Sequence, residues 1–237
     1  MRKTLTLAIL AGFLAVGFWV VTDLQGAAQA GGTITGVVKF AGDAPAPKKL
    51  EPAKDTQVCG KTPLYDQSLM VDKGTKGVRW AVVSVTGDVK GKWEVKEIAL
   101  DQKGCEFQPH VVVMPPSKLT ILNSDGILHN FHSHSTKNPP INQAQPGFRK
   151  KMEVKFDQPE RVKITCDAHA WMSGWVIVSD HPYVGVTDEK GSFKIENVPP
   201  GTYTLEVWQE TLTPKPITQQ VTVKAGEETK VTFELKK

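Results

Sequence analysis

The chain has 237 residues, of which 40% are hydrophobic and 23% are charged, and its formal net charge is +4. The small basic excess is spread along the chain without a dense basic cluster, so we do not expect nucleic acid as a partner. A chain of this length can form one large or two small β domains.

Residues 1–30 have the pattern of a secretory signal peptide. Arg2 and Lys3 precede an uncharged apolar run over residues 5–21, and the small-x-small sequence Ala-Gln-Ala ends at Ala30. This pattern predicts cleavage after Ala30 and a periplasmic or extracellular protein, with no membrane contact once the signal is removed. The alternative is an uncleaved membrane anchor, for which the apolar run is slightly short. Cleavage leaves about 207 residues for the fold.

The three cysteines predict one disulfide and one unpaired thiol in an oxidising compartment. Cys59 and Cys105 each lie beside a glycine in a turn-like stretch, and we expect them to be bonded. This disulfide closes a loop worth about 4 kcal/mol in the chain-entropy model. Cys166 is then the odd thiol, which would oxidise outside the cytoplasm unless something occupies it. The odd thiol is a first indication of a metal site.

After the signal, the chain consists of short segments rich in β-branched and aromatic residues, separated by Gly, Pro, Asn and Asp. No stretch keeps a 3.6-residue apolar period over ten residues, so few helices are expected. Repeated short strands with turn signals predict an all-β protein built from sandwiches or barrels. The predicted strands are Ile34–Phe40, Arg79–Val85, Val111–Met114, Leu119–Asn123, Val162–Thr165 and Trp175–Val178.

The C-terminal residues 181–237 alternate between apolar and polar positions, as expected for antiparallel strands with one buried face. Their segment TDEKGSFKIENVPPGTYTLEVW resembles the carboxypeptidase regulatory-like domain, a small transthyretin-like sandwich. The resemblance implies two further strands, and the candidates for them lie upstream. We therefore predict a discontinuous sandwich from residues 31–94 and 181–237, with a second domain, residues 95–180, inserted between. In the alternative, the N-terminal strands belong to the middle domain.

The segment CDAHAWM, between two predicted strands, carries the strongest chemical signal. It places Cys166, His169 and Met172 on one loop, and thiolate, imidazole and thioether ligands together favour copper. His129, beyond the strand that ends at Asn123, is the candidate for a second imidazole. Zinc is the main alternative metal, but it prefers another fourth ligand to a methionine.

Two motifs resemble the cupredoxins, and in particular their amicyanin and plastocyanin group. They are ILNSDGILHNFH, with its early His-Asn, and CDAHAWM, with its late Cys-x-x-His and Met. The resemblance covers residues 95–180 and implies a Greek-key β-sandwich with one type 1 copper ion, bound by His129, Cys166, His169 and Met172. It also implies that Asn130 pins the ligand loop by hydrogen bonding near the thiolate, a role that tunes metal sites.

These observations predict an exported electron carrier that cycles between Cu(I) and Cu(II) and exchanges electrons with an unidentified redox partner protein. We do not expect an enzyme, because four protein ligands leave no open position for a substrate. Trp171, between two ligands, either shields the thiolate or serves as a docking surface. The alternatives are a copper-delivery protein without electron transfer and an adhesive or carbohydrate-binding sandwich module.

Overall fold

A computed structural model describes residues 30–94 and 97–237, so the predicted signal peptide lies outside the described residues except for Ala30. The described chain is almost entirely β-structure with one four-residue helix, as the sequence predicted. The elements in chain order are β1 (Gly32–Phe40), β2 (Lys49–Leu50), α1 (Thr56–Cys59), β3 (Leu64–Tyr65), β4 (Val82–Thr86), β5 (Ala99–Lys103), β6 (Glu106–Gln108), β7 (Val111–Met114), β8 (Ser117–Asn123), β9 (His129–Ser133), β10 (Asn142–Gln145), β11 (Lys151–Phe156), β12 (Glu160–Thr165), β13 (Ser173–Val178), β14 (Val184–Val186), β15 (Ser192–Val198), β16 (Gly201–Trp208), β17 (Ile217–Val223) and β18 (Glu228–Leu235).

The strands β5 to β13 form one sandwich, which we call the middle sandwich. One sheet has the order β10-β9-β12-β13-β7, and the facing sheet has the order β11-β8-β5-β6. Alternation along β11 shows why the sheets pack, because Met152, Val154 and Phe156 are buried while the residues between them are exposed. The large side chains of Phe107 and Phe131 meet edge to face in this core, with ring centroids 6.4 Å apart.

A second sandwich, which we call the terminal sandwich, combines strands from both ends of the chain. Its sheets have the orders β15-β1-β18 and β14-β4-β16-β17. β1 pairs in parallel with β18 and antiparallel with β15, so Ile34 and Val38 share one core with Phe193 and Phe233. The observed all-β architecture with two sandwiches agrees with the predicted fold class.

The range 31–94, predicted as one unit, divides between the two cores. β1 and β4 belong to the terminal sandwich. Between them, Cys59 and Leu64 are buried in the core of the middle sandwich, and the partly buried Leu50 and Val58 pack against it. The intervening segment therefore crosses to the middle sandwich, where it reaches the candidate site.

The two sandwiches share an aromatic and charged interface. Trp175 of the middle sandwich packs edge to face on Trp208 of the terminal sandwich, with ring centroids 4.7 Å apart. Nearby, the buried His110 Nε2 lies 2.6 Å from a carboxylate oxygen of Glu210. Because these contacts bury polar and aromatic groups from both sides, the sandwiches are packed against each other and are not joined by a linker alone.

Each of the six predicted strands is present, Val111–Met114 with the predicted bounds and the other five with one or both ends shifted. The largest shift is at the predicted strand that started at Arg79, which begins at Val82 instead. Trp80 adopts a φ of +63°, a left-handed conformation that interrupts an extended strand. Among the described residues, no helix is long and apolar enough to cross a membrane.

Candidate metal centre

Three side chains with metal-binding atoms meet at one end of the middle sandwich. Cys166 Sγ lies 3.9 Å from Nδ1 of His129 and 3.8 Å from Nδ1 of His169. The two Nδ1 atoms are 3.0 Å apart, and all three side chains are buried. The group matches three of the four predicted ligands and presents one sulfur and two nitrogens to a common point.

Strand pairing explains this convergence. His129 is the first residue of β9, and Cys166 directly follows β12, which pairs with β9. His169 lies in the short loop between β12 and β13, whose residues pair without a break from 160/178 to 165/173. This short connection places His169 beside Cys166, which lies three residues earlier in the chain.

Each imidazole is held on its outer nitrogen by a carboxylate. The Nε2–H of His129 donates to Asp125 at 2.9 Å, and the Nε2–H of His169 donates to Asp55 at 2.9 Å. A carboxylate only accepts hydrogen bonds, so these contacts place the proton on Nε2 and turn Nδ1 toward the sulfur. Carboxylate partners of this kind fix the tautomer and orientation of metal-binding histidines.

Asp125 is itself fixed by the backbone. Its two carboxylate oxygens accept the N–H groups of Gly104 at 2.6 Å and Cys105 at 2.8 Å, and its side chain is only 7% exposed. Burial raises the pKa of Asp125, but hydrogen bonds from His129 and these amides outweigh burial and lower it below its ordinary value. The carboxylate is therefore charged and acts as a fixed anchor for His129.

The charges at the site favour a thiolate. Burial raises the pKa of Cys166, yet hydrogen bonding with His129 and with the Asn130 backbone N–H brings it below the usual thiol value. Burial disfavours a charged His129, but its contacts with Asp125 and Cys166 raise its pKa to about 9. Burial, opposed by Asp55, lowers the pKa of His169. Hydrogen bonding therefore favours the thiolate form of Cys166 and the protonated form of His129, whereas burial favours the neutral form of His169.

Asn130 connects the two ligand-bearing segments. Its backbone N–H donates to Cys166 Sγ at 3.4 Å, and its side-chain oxygen accepts the N–H groups of Asp167 and, at 3.4 Å, Ala168. Its side-chain amide donates to Asn142 on the neighbouring β10 at 2.7 Å. These contacts have the geometry of the loop-pinning role that the resemblance implied for Asn130.

Met172 and Trp171 close the loop over the core. The Met172 backbone N–H donates to the His169 carbonyl at 2.9 Å, and the Cys166 N–H donates to the Met172 carbonyl at 3.2 Å. The Met172 side chain is buried in the same core as Cys166. Trp171 is half-buried, with its ring 5.1 Å from that of His169 and its indole N–H bonded to the Cys105 carbonyl at 3.2 Å. Trp171 therefore covers His169 at the edge of the site.

The predicted disulfide between Cys59 and Cys105 is present, and Cys166 is the free cysteine of the described chain. Cys105 Sγ lies near Asp125 and His129, but its disulfide bond removes it as a thiolate donor. The disulfide joins α1 to the β5–β6 hairpin, directly beside the anchor Asp125.

His132 and His134 form a separate, more exposed pair. Their rings stack with centroids 4.4 Å apart. His132 Nδ1 lies 2.9 Å from Asp167, and His134 Nε2 lies 2.8 Å from the Thr165 hydroxyl. Neither histidine belongs to the buried group of His129, Cys166 and His169.

The chemistry of the donor set fits copper. A thiolate with two neutral imidazoles is a soft, nitrogen- and sulfur-rich set, which copper and zinc accept and hard cations do not. With bonds of about 2.3 Å to sulfur and about 2.0 Å to each nitrogen, a first-row ion in a trigonal arrangement separates sulfur from nitrogen by about 3.7 Å and the two nitrogens by about 3.5 Å. The sulfur–nitrogen separations of 3.9 and 3.8 Å are close to the first value, whereas the two Nδ1 atoms, 3.0 Å apart, are closer together than the second.

Two residues of the site, Asp55 and Asp125, were not identified from the sequence. Asp125 lies within the segment ILNSDGILHNFH, four residues before His129, and that spacing is the one signal in the sequence that could have identified it. Asp55 lies 114 residues before its partner His169, in a segment assigned to the other sandwich. No local pattern connects Asp55 with the site, so only the three-dimensional structure reveals it.

Comparisons with known proteins bear on parts of the chain. Residues 164–231 match the family model "Polysaccharide lyase family 4, domain II". Among curated proteins, no sequence relative matches. Among solved structures, a purple cupredoxin from Nitrosopumilus maritimus matches at 21% identity and a TM-score of 0.30, covering 35% of this chain and all of that chain.

Two further solved structures match a similar share of this chain. A Cu-containing nitrite reductase from Thermus scotoductus SA-01 matches at 20% identity and a TM-score of 0.33, with 40% of this chain and 25% of that chain covered. A mutant of amicyanin in its Cu(I) form matches at 14% identity and a TM-score of 0.32, with 41% and 98% covered. Because each match covers less than half of the chain at a low TM-score, the metal assignment rests on the side chains described above.

Proposed function

We propose that this chain is an exported mononuclear copper protein that carries electrons by cycling between Cu(I) and Cu(II). The observation that carries the proposal is the buried meeting of Cys166 Sγ with the Nδ1 atoms of His129 and His169. We assign these three side chains and Met172 as the ligands of one type 1 copper ion. The soft donor set favours copper over zinc, because methionine is a poor zinc ligand.

The protein's own residues supply a fixed and dry environment for this metal. Asp125 and Asp55 hold the two imidazoles from outside, and Asn130 holds the loop that carries Cys166. Bound copper contributes a one-electron couple, and a site that does not rearrange between the two oxidation states transfers electrons with little reorganisation. We assign no catalytic residue and propose a carrier rather than an enzyme.

Export and a redox partner are part of the same proposal. The N-terminal pattern and the disulfide between Cys59 and Cys105 both fit a periplasmic or extracellular protein. The partner is expected to be a protein, whose identity the chain does not reveal, and neither nucleic acid nor, after signal cleavage, a membrane is expected. Leu128, which precedes His129, is 48% exposed, and Phe148 is 86% exposed, so both are available for such a contact.

Voltammetry of the copper-loaded protein separates a carrier from a copper-delivery protein. We expect a reversible one-electron wave with one copper retained per chain after repeated cycles. Loss of metal on reduction would favour delivery instead. The His134→Ala variant is a suitable control, because His134 is exposed and bonded to Thr165 rather than to the buried group.

The family-model match favours a second candidate function for the terminal sandwich. The matched family is named for a polysaccharide lyase domain. The match covers the end of β12 and all of β13 in the middle sandwich, and β14 to β17 with part of β18 in the terminal sandwich. We propose carbohydrate or adhesive binding as the alternative role for this sandwich. Binding of the purified protein to a panel of immobilised polysaccharides tests it, and a lack of binding to every member argues against it.

A further inference from the structure

The imidazole of His169 is covered by a segment that belongs to neither sheet of the middle sandwich. This segment, residues 51–60, contains Asp55 and α1 and is referred to below as the cover segment. The His169 side chain is 0% exposed, and its outer nitrogen is bonded to Asp55, whose side chain is 28% exposed. Asp55 thus lies between His169 and the solvent.

The Asp55 carboxylate is bonded to His169 and not to the helix that follows Asp55. Asp55 precedes α1 at the position where an aspartate ordinarily accepts a hydrogen bond from the backbone of its own helix. Here it makes no such bond, and its backbone lies in the left-handed region at φ 50° and ψ 40°. The carboxylate points instead to His169 Nε2 at 2.9 Å. Asp55 therefore adopts a less favourable backbone conformation and lacks the usual helix-capping hydrogen bond, while its carboxylate is bonded to His169.

The disulfide fixes the cover segment to the anchor of the other imidazole. Within the segment, the Cys59 backbone N–H donates to the Asp55 carbonyl at 2.9 Å. Across the disulfide, the Cys105 N–H donates to Asp125 at 2.8 Å, and Asp125 in turn holds His129. The disulfide therefore joins the segment that carries Asp55 to the turn whose backbone holds Asp125, and these two carboxylates orient the two histidines.

We propose that the cover segment is a disulfide-anchored closure of the metal centre, and that Asp55 is the positioning residue that holds His169 in place beneath it. For the metal this inference rests on the proposed function, but the burial of His169, and of Cys166 beside it at 3.8 Å, does not depend on a bound ion. The closure has two consequences. Neither imidazole edge reaches solvent, and both metal exchange and reagent access to Cys166 require the segment to move.

The test measures how fast a small disulfide reagent such as dithionitrobenzoate labels Cys166 in the metal-free protein. Cys166 is the free cysteine of the described chain, so the signal reports on this site. Removing a hydrogen bond to a charged group weakens closure, and we expect Asp55→Ala to label on the order of tenfold faster. Asp55→Asn keeps one acceptor oxygen and should fall between Asp55→Ala and the unchanged protein.

Two further variants make the test specific. Glu51→Gln removes an exposed carboxylate of the same segment, paired only with Lys49, and should label at the unchanged rate. The double variant Cys59→Ser with Cys105→Ser should label at least as fast as Asp55→Ala. Equal rates for Asp55→Ala and the unchanged protein would overturn the proposal. So would labelling of every variant at the absolute rate that global unfolding alone allows, calculated from its free energy of unfolding in urea.

A parallel measurement on the metal-loaded protein keeps the two proposals distinguishable. After loading with one equivalent of Cu(II), copper transfer to a chelator should be on the order of tenfold faster in Asp55→Ala than in Glu51→Gln. If the unchanged protein does not bind copper through Cys166, the proposed function fails while the labelling rates still decide on the cover segment. If copper binds but its transfer rate is the same in all variants, Asp55 is not a positioning residue.

Discussion

The buried side chain of Asp125 makes three hydrogen bonds at the site, and replacing it by alanine should destabilise the metal-free protein severely. The carboxylate accepts three N–H groups, from Gly104, Cys105 and His129, and is 7% exposed. Asp125→Ala leaves these three donors without their partner and leaves Cys166 as the remaining group that favours a charged His129. Breaking a buried charged pair of this kind costs about 3–5 kcal/mol. That loss is a large fraction of the roughly 5–15 kcal/mol that stabilise a typical domain.

Urea unfolding of the metal-free protein, followed by tryptophan fluorescence, measures this loss. The midpoint should fall while the slope with denaturant stays constant, because the surface exposed on unfolding is unchanged. Asp125→Asn retains one acceptor oxygen and should lose less. Asp157→Ala removes an exposed carboxylate paired only with Lys155 and should change the free energy by less than about 0.5 kcal/mol. A loss below about 1 kcal/mol for Asp125→Ala would refute the reasoning that these hydrogen bonds hold the site together.

Three further predictions concern residues outside the proposed ligand set. Glu160 accepts backbone N–H groups from the 136–138 turn, which overcome its burial and lower its pKa to about 2. Its contribution to the free energy of unfolding should be fully present above the pKa of Glu160 in the unfolded chain, near 4.5, and should be lost as the pH falls toward 2. Urea titrations of Glu160→Gln at different pH values should lack this dependence. The double serine variant of Cys59 and Cys105 should lose about 4 kcal/mol of unfolding free energy in the same assay, from the loop closed by the disulfide. Trp208→Ala removes the ring packed on Trp175, so calorimetry should show two separate transitions where the unchanged protein has one.

The sequence was informative where a local pattern carries the structure. Alternation of apolar residues predicted the strands, and the spacing of Cys166 and His169 within one loop predicted that they would meet. The pairing of Cys59 with Cys105 was predicted from the odd number of cysteines and from the similar turn-like settings of these two, each beside a glycine. These features depend on residues close in sequence or on a simple exclusion, so no knowledge of the tertiary structure was needed.

The sequence was uninformative where distant segments meet. The path of residues 49–65 into the middle sandwich depends on packing between elements far apart in sequence, and the contact of Asp55 with His169 depends on that path. Similarly, the direction of the Asp125 side chain is set by the β5–β6 hairpin, whose N–H groups it accepts. Both carboxylates that orient the imidazoles are therefore visible only in the folded chain.

Titration of the purified mature protein with Cu(II), followed by visible absorption, tests the copper assignment most directly. We predict an intense thiolate-to-copper charge-transfer band that saturates at one equivalent, is unchanged in the control His134→Ala and is absent in Cys166→Ser. The band depends on the thiolate, since Cys166 is the free cysteine of the described chain and lies within 4 Å of both imidazole nitrogens. A protein that shows no band, or a band that survives Cys166→Ser, would contradict the assignment.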